Sequence, residues 1–433
     1  MASATRDSTT HKIGTARIMK HLLRSIALLP LRPSIFTAML KVLRFMHLLP
    51  VNTTNPTSPP KRVLVVNITE FIGDTVMMMP LLDRLNAAIP DATIDVVTSA
   101  KMAHFVRQIP YLGAVDGIET RGSRLPIWGT YLKLVHMARF AQTTLHGGSY
   151  DMCLLPRWGA DASMSIFLAS MTGASRLIGH DPNDEADTRN PFPGIQNLLT
   201  CISRGGAGLP EAIRELRLLE SCGLVGHLDL IAEEKRSINS LLQMTDLVSL
   251  SELKRKLGLG NAPYVVVAPG ASHPARRWPS ERFAETAIGL SARLGGQVLV
   301  IGGTADFVLG QGIEQQVGAA ARNLIDQTSL LENIALMRGA AVLLANDSGP
   351  AHIGAGLGVP TLVLSACPLT STREHANSPL RVRPVGPRVS VLQPARPANG
   401  CNERCRASAA HCILGLTVES VLRQAEQLLV DNG

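Results

Sequence analysis

The sequence predicts an α/β protein built from two doubly wound parallel sheets. Short apolar runs alternate with longer stretches of helical periodicity, and such alternation is typical of parallel strands joined by crossover helices. The alternation occurs twice, before and after a polar stretch at 226–262. A chain of 433 residues is long enough for two domains of ordinary size. We therefore expect two domains that face each other across a cleft.

The first domain is predicted from apolar runs of strand length with helical patterns between them. Its strands are expected at Val63–Asn67, Ile94–Thr98, Asp151–Leu155 and Arg176–Gly179. Its helices are expected near 74–88, 101–108, 128–143 and 160–172.

The second domain repeats this pattern and ends in an amphipathic helix at Thr417–Leu429, which we expect to pack back onto the first domain. Its strands are expected at Tyr264–Ala268, Gln297–Ile301, Asn323–Asp326, Ala341–Ala345 and Thr361–Ser365. Its other helices are expected near 280–294, 308–319, 330–338 and 349–357. The predicted divisions are a leader and linker at 1–60, a first domain at 61–225, an interdomain linker at 226–262, a second domain at 263–415 and a C-terminal helix at 416–433.

Basic residues are concentrated at the N-terminus. Residues 1–62 contain ten Lys/Arg and one acidic residue, whereas the rest of the chain has a net charge of −1. A nucleic-acid partner is not expected, because it would require positive charge on the folded surface. The aromatic content of 4% also disfavours a platform for stacking bases.

The leader carries one helical pattern with apolar residues on one face and Lys/Arg on the other, and a second apolar helical pattern that includes Lys41 and Arg44. No apolar run approaches the roughly 20 residues that span a bilayer. The pattern predicts that residues 15–48 bind an anionic membrane surface, with the protein at the cytoplasmic face of the inner membrane. An organellar transit peptide and a dispensable extension are the alternatives.

The most informative motif lies at the end of one strand candidate. The segment 346–350, Asn-Asp-Ser-Gly-Pro, is followed by a helix of small residues. Such a corner places backbone N–H groups and the positive end of a helix dipole at the carboxyl edge of a sheet, where open α/β folds bind phosphate. Ser348 adds a hydroxyl, Gly349 lets a ligand approach the backbone and Asp347 adds a carboxylate. An ordinary turn with a helix N-cap is the alternative.

A second corner follows the first strand of the second domain. Gly270 and Ser272 permit close approach of a phosphate, and Arg276 can pair with a diphosphate. A solvated arginine pair is the alternative. Neither a G-x-G-x-x-G dinucleotide motif nor a Walker lysine is present. The two corners indicate a nucleotide diphosphate held by dipoles and positive charge, without a metal.

Asp74 opens the helix that follows the first strand. A carboxylate at that edge can accept a proton from an attacking hydroxyl, as general-base catalysis requires. The alternative is an N-cap aspartate, which is common at helix starts.

The seven cysteines include three near the C-terminus, Cys401, Cys405 and Cys412, close to His411. A zinc or iron–sulfur site is one interpretation, but the usual C-x2-C spacing is missing. We favour a structural loop or a partial disulfide, and we predict neither a catalytic metal nor a cofactor. The other four are scattered, as buried small apolar residues are, and a reducing cytosol is the default compartment.

Four segments together resemble glycosyltransferase family 9, the lipopolysaccharide heptosyltransferases, over about residues 62–430. The segments are Gly73-Asp74-x5-Pro80, Pro269-Gly270-Ala271-Ser272-x5-Trp278-Pro279, Gly302-Gly303 and Asn346-Asp347-Ser348-Gly349-Pro350-x-His352. The resemblance implies the GT-B architecture of two Rossmann-like domains, with the acceptor on the N-terminal side. It also implies inverting, metal-independent transfer of heptose from an ADP-heptose to the lipopolysaccharide core.

The resemblance also implies roles for residues. Asp74 matches the family's proposed catalytic base, and Arg276 stands where many members have a phosphate-binding lysine. Asp306 stands near the position where family members have a glutamate that contacts the nucleoside, and its side chain is shorter than that of glutamate. The predicted donor-binding residues are Gly270, Ser272, Arg276, Gly302, Asp306, Asp347, Ser348, Gly349 and His352.

The predicted partners are an ADP-sugar, a lipid-linked glycan acceptor and a membrane surface. Two enzymatic alternatives are a sugar-nucleotide epimerase and a transferase that acts on a protein or O-antigen. A non-catalytic sugar-nucleotide binder is the alternative from another class.

Overall fold

The described part of the chain forms two parallel sheets of six strands each. The computed structural model describes residues 59–119, 135–145, 150–156, 163–181, 195–206, 208–373, 375, 377–401 and 407–430. The predicted membrane-binding leader and Cys405 lie outside these residues, and so do parts of the helix candidates at 128–143 and 160–172.

The first sheet has the strand order β3-β2-β1-β4-β5-β6, and all its strands are parallel. Its strands are β1 (Arg62–Val66), β2 (Thr93–Ser99), β3 (Val115–Ile118), β4 (Met152–Leu155), β5 (Arg176–His180) and β6 (Cys201–Ser203). This is the doubly wound order, in which the chain leaves the central pair toward one edge and then toward the other. The apolar side chains of β1, from Val63 to Val66, are fully buried, as expected for a central parallel strand.

The second sheet has the order β12-β11-β10-β7-β8-β9, which is the same winding. Its strands are β7 (Tyr264–Ala268), β8 (Gln297–Val300), β9 (Ala321–Asn323), β10 (Val342–Asn346), β11 (Thr361–Leu364) and β12 (Val389–Leu392). Each sheet is therefore Rossmann-like, and the predicted fold class of two such domains is confirmed.

Helices connect the strands as crossovers. The α-helices are α1 (Ile72–Ala88), α2 (Ala100–Val106), α3 (Ser165–Ser170), α4 (Glu211–Arg214), α5 (Arg217–Ser221), α6 (Leu230–Glu234), α7 (Asn239–Thr245), α8 (Leu250–Lys256), α9 (Ser280–Leu294), α10 (Phe307–Val317), α11 (Leu330–Arg338), α12 (Gly349–Gly356), α13 (Pro379–Val382) and α14 (Val418–Val430). Residues 135–140 are also helical and continue into a π-helical turn at Ala141–Leu145. None of the described helices has both the length and the apolar composition that crossing a membrane requires.

The chain divides into two compact units that do not follow the predicted divisions at 61–225 and 263–415. The unit with the second sheet comprises Thr69–Ala88, His104–Tyr111 and the residues from Gly206 onward. It includes α1 because that helix packs against α12, α4 and α7. The remaining described residues form the unit with the first sheet.

Three strands were not predicted, namely β3, β6 and β12, and all three lie at sheet edges. Edge strands are short and pair on one side only, so their sequences lack the continuous apolar run of a central strand. The prediction of a strand at 323–326 was displaced by two residues, because Ala321–Asn323 is the segment that pairs with β8. Asp326 has a φ of 64°, which is incompatible with a continuing strand.

Two expectations about helices were wrong. The stretch 226–262, predicted as a linker, contains α6, α7 and α8, and its Leu241 and Met244 are fully buried. The C-terminal helix α14 packs on the second sheet rather than on the first domain, with Val421 and Ala425 inside the core beneath α9. A hydrophobic stripe shows that a helix has a buried face, but it does not show which core receives that face.

Helix α9 supplies a test of this core. Leu290 is fully buried, whereas Ile288 on the same helix is 46% exposed. We expect Leu290→Ala to lower the free energy of unfolding by about 2–5 kcal/mol, because it removes buried methyl groups and leaves a cavity. Ile288→Ala is the matched control and should cost no more than about 0.5 kcal/mol. Urea denaturation measures both, and equal losses would show that α9 does not face the core as described.

Candidate active site

The site begins at the centre of the second sheet, where β7 and β10 are neighbours. Ala268 pairs with Ala345, so the loops that follow these two strands start side by side. From this pair the chain winds to β8 on one side and to β11 on the other. Ligands of open α/β sheets bind at such a switch point, outside the carboxyl ends of the strands. Both corners predicted from the sequence therefore lie together at this edge.

The side chain of Asn346 ties the two loops to each other. Its Nδ2 donates to the Pro269 carbonyl at 2.7 Å, and its Oδ1 accepts from the Trp278 backbone N–H at 3.1 Å. Asn346 is fully buried, so both bonds form in a low-dielectric interior, where an unpaired amide would be costly. The sequence motif contained this residue, but nothing in the sequence indicated its partners.

Arg276 is held by Asp347 across the two loops. Its Nη2 donates to Asp347 Oδ2 at 3.0 Å and to the Asp347 carbonyl at 2.5 Å, and its Nη1 lies 3.4 Å from Ser272 Oγ. The solvated-arginine interpretation is therefore wrong. Burial raises the pKa of the Asp347 carboxyl, and the Arg276 charge opposes that rise. The three predicted donor residues thus form one charged cluster.

Asp306 lies against the glycines of the same edge. Its carboxylate accepts from the Gly303 backbone N–H at 3.2 Å, which closes a turn at Thr304–Asp306. A Cβ added to Gly270 would clash with this carboxylate, and a Cβ on Gly302 would come within 3.1 Å of the Asp306 Cβ. The Asp306 side chain therefore occupies the space beside Gly270 and Gly302, a contact that the sequence did not reveal.

The helix start at Gly349 presents one backbone donor, because Pro350 has no N–H and the Ala351 N–H donates to the Ser348 carbonyl at 3.1 Å. Ser348 occupies the N-cap position, but its hydroxyl donates to the Asn346 carbonyl at 3.1 Å and makes no cap hydrogen bond. The alternative of an ordinary side-chain cap is therefore wrong. Gly349 is the first helical residue, and its N–H has no intrahelical partner by position. Together with the dipole of α12, this arrangement suits an anion.

The starts of helices α1 and α12 touch through two glycines. A Cβ on Gly349 would lie 3.0 Å from the Ile72 Cβ and 3.7 Å from the Gly73 nitrogen. A Cβ on Gly73 would lie 3.1 Å from Cδ2 of His352. Asp74 follows Gly73 directly, so the candidate base and the Gly349 corner belong to one contact. The sequence predicted each residue but not their direct packing.

Asp74 is the third residue of α1, so it is not the N-cap that the alternative required. Thr69 Oγ1 donates to Asp74 Oδ2 at 2.8 Å, and Thr69 Oγ1 also accepts from the Phe71 backbone N–H at 3.2 Å. Thr69 is buried and Asp74 is half-buried. Thr69 therefore orients one carboxylate oxygen. Sequence reasoning missed this residue, because a threonine in a loop carries no signal of its own.

A second carboxyl group, Glu215, lies in the electrostatic field of Asp74. Burial is the largest cause that raises its pKa well above the ordinary value, followed by the charges of Glu211 and Asp74, whereas Arg214 lowers it. Glu215 is 3% exposed, and its Oε2 has no hydrogen-bond partner in the part of the chain that the structure describes. Burial and the two neighbouring carboxylates therefore both favour the neutral form of Glu215.

His352 is buried beneath Gly73. Burial, and then the positive charge of Arg276, lower its pKa to about 4, so the imidazole is neutral at pH 7. It therefore adds no positive charge for a diphosphate. Its contact with a donor stays a prediction, and what the structure shows is its packing against the start of α1.

A sequence model of the family described as glycosyltransferase family 9 (heptosyltransferase) matches residues 233–407. Lipooligosaccharide heptosyltransferase 2 of Haemophilus influenzae is 33% identical over 305 residues, which cover 68% of this chain and 80% of the relative. Lipopolysaccharide heptosyltransferase 3 of Escherichia coli is 24% identical, with 68% and 79% covered. For lipopolysaccharide heptosyltransferase 2 of Salmonella typhimurium the identity is 28%, and the alignment covers 40% of this chain and 48% of that protein, about half of its length.

Solved structures share the fold. The ADP-heptose heptosyltransferase II of E. coli superposes with a TM-score of 0.60 at 20% identity, covering 86% of this chain and 99% of that one. A family 9 glycosyltransferase from Veillonella parvula gives a TM-score of 0.65 at 19% identity, covering 86% and 98%. These likenesses confirm the GT-B type of architecture. With the Haemophilus relative, they show that the chain belongs to glycosyltransferase family 9 and is a glycosyltransferase enzyme.

Proposed function

We propose that this protein transfers a sugar, with inversion and without a metal, from a nucleotide-diphospho sugar to a lipid-linked glycan. The donor proposed is ADP-heptose and the acceptor is a lipopolysaccharide core. The observation that carries the proposal is the packing of the start of α1, which bears Asp74, onto the Gly349 corner. A proton acceptor and an anion site in one contact are what displacement of a diphosphate requires.

Arg276 and the backbone at Gly349 are the groups proposed to stabilise the leaving diphosphate. Charge accumulates on the phosphate oxygens as the glycosidic bond breaks, and fixed donors lower the energy of that charge. Arg276 already shares its charge with Asp347, so it offers the phosphate a fixed donor rather than a full unpaired charge. Ser272 and Ser348 contribute hydroxyls at the same edge.

Asp74 is the proposed general base. One carboxylate oxygen accepts the proton of the acceptor hydroxyl while the hydroxyl oxygen forms a bond to the anomeric carbon. The bond from that carbon to the phosphate oxygen breaks, its electron pair leaves with the nucleoside diphosphate, and the configuration inverts. The hydrogen bond from Thr69 holds Oδ2, which leaves Oδ1 for the incoming proton.

The relatives support the choice of substrates. Their names describe lipopolysaccharide and lipooligosaccharide heptosyltransferases, and one structure with a TM-score of 0.63 is an E. coli heptosyltransferase with ADP. A lipid-linked acceptor agrees with a basic leader that binds the cytoplasmic face of the inner membrane, which is part of this proposal.

The first test replaces the base. Asp74→Asn keeps the shape and can still accept from Thr69, but it cannot take a proton. We expect transfer from ADP-heptose to a heptose-deficient lipopolysaccharide acceptor to fall by about 10²–10⁴-fold, with the Kd for ADP unchanged by calorimetry. Asp91→Asn, at an exposed turn, is the control and should retain activity. Full activity of Asp74→Asn would remove Asp74 as the base.

The second test separates the two roles of Arg276. Arg276→Ala should weaken ADP binding by about 10–100-fold and also destabilise the fold, because Asp347 is then buried without its counter-charge. In Arg276→Ala/Asp347→Asn the free energy of unfolding should recover while the weak ADP binding persists. Recovery of ADP affinity in the double variant would show that Arg276 acts only by holding Asp347.

The third test concerns His352 and pH. Its pKa is lowered from 6.5 to about 4 in the folded protein, so below pH 6.5 the unfolded chain binds a proton that the folded protein does not. Stability is therefore lost as the pH falls from 6.5 toward 4. At pH 5 this loss amounts to about 2 kcal/mol.

His352→Gln should lack this part of the acid loss. Urea denaturation of both proteins at pH 7 and pH 5 checks this expectation, because titration of the carboxyl groups is common to both. Equal losses between the two pH values would show that His352 is protonated in the folded state.

A further inference from the structure

Three soft ligand groups meet near the C-terminus, and none of them is assigned to transfer. The Sγ atoms of Cys401 and Cys412 and a ring nitrogen of His411 all lie within 4.8 Å of one another. Cys412 is buried, and Cys401 and His411 are half-buried. Cys412 Sγ lies 3.2 Å from His411 Nδ1. No disulfide joins Cys401 to Cys412, so the partial disulfide expected in this region is not formed between these two.

We propose that Cys401, His411 and Cys412 bind a structural zinc ion. Two thiolates and an imidazole are ligands that select zinc over hard cations such as Mg²⁺ or Ca²⁺. In a tetrahedral site with ordinary bond lengths, sulfur and nitrogen ligands stand about 3.5 Å apart and two sulfurs about 3.8 Å apart. The observed spacing needs only small shifts to reach that geometry. Binding releases the two thiol protons, so the occupied site is neutral.

The backbone around the cluster already donates a hydrogen bond to one of the proposed ligand sulfurs. The Ala398 N–H donates to Cys412 Sγ at 3.4 Å, and the Ala398 carbonyl accepts from the Cys401 N–H at 3.0 Å. Gly400 has a φ of 80°, which favours glycine and closes this turn. N–H donors to a ligand sulfur are the kind of second contact that orients metal ligands. The turn therefore brings Cys401 to Cys412 before any ion binds.

A zinc ion at this site would stabilise the loop that carries Arg276, because the two segments are in contact. The turn Cys412–Gly415 contacts the turn Pro274–Arg276. The Leu416 carbonyl accepts from Trp278 Nε1 at 3.0 Å and from Arg282 Nη1 at 2.9 Å. A metal at Cys412 would hold this turn and, through it, the loop that carries Arg276. The proposed role is structural and does not change the metal-independent transfer step.

Zinc content of the full-length protein tests the proposal without any substrate. Protein purified under reducing conditions, incubated with Zn²⁺ and desalted should retain about one zinc per chain by mass spectrometry of the metal. Cys401→Ser and Cys412→Ser should each weaken zinc binding by more than about 10-fold. Cys222→Ser, a half-buried cysteine outside the cluster, is the matched control and should retain zinc.

If Cys412→Ser does not fold, alkylation of the wild-type protein tests the same site without a variant. In the wild type, Zn²⁺ should protect Cys401 and Cys412 from iodoacetamide while Cys222 reacts at an unchanged rate. Reduced protein that retains no zinc, undiminished zinc in Cys401→Ser, or a Cys401–Cys412 disulfide in unreduced protein would each overturn the proposal. None of these outcomes bears on transfer by Asp74, so failure of this site is distinguishable from failure of the proposed function.

Discussion

The close approach of Gly73 and Gly349 is the constraint on which the site depends. A Cβ at Gly73 would lie 3.1 Å from the His352 ring, and a Cβ at Gly349 would lie 3.0 Å from the Ile72 Cβ, so the two helix starts approach closely where neither residue has a side chain. The position of the proposed base relative to the Gly349 backbone N–H is therefore set by tight packing of these two glycines against the Ile72 and His352 side chains. This explains how a half-buried carboxylate can keep a fixed relation to the anion site.

Around this contact, buried polar groups hold the loops in register. Asn346 joins the ends of β7 and β10, and the Arg276–Asp347 pair joins the two loops a few residues further on. Each depends on burial, because amides and charges interact strongly where water is excluded. The same burial keeps His352 neutral and favours the protonated form of Glu215.

The sequence predicted the central strands and the position of the two corners after β7 and β10 because their signals are local. Fully buried strands such as β7 and β10 are continuous apolar runs, and Gly and Pro mark the turns after them. Prediction from the sequence failed where a feature depends on contacts with residues far away in the chain. Edge strand β12 is only four residues long and a serine interrupts its apolar run, and the partners of Thr69 and Glu215 come from packing. The apolar stripe of helix α14 was visible in the sequence, but the sequence did not indicate which core the helix packs against.

The unit with the second sheet is not contiguous in the chain, since it takes α1 from an early segment and the rest from residue 206 onward. During synthesis the ribosome releases α1 long before α12 exists. Its apolar residues, including Met77, Met78 and Leu81, then lack the α12 packing partner until some 260 further residues have been added. Nascent chains with exposed apolar surface are prone to aggregation. The order of the segments along the chain therefore lengthens the interval in which the nascent α1 segment is exposed to aggregation.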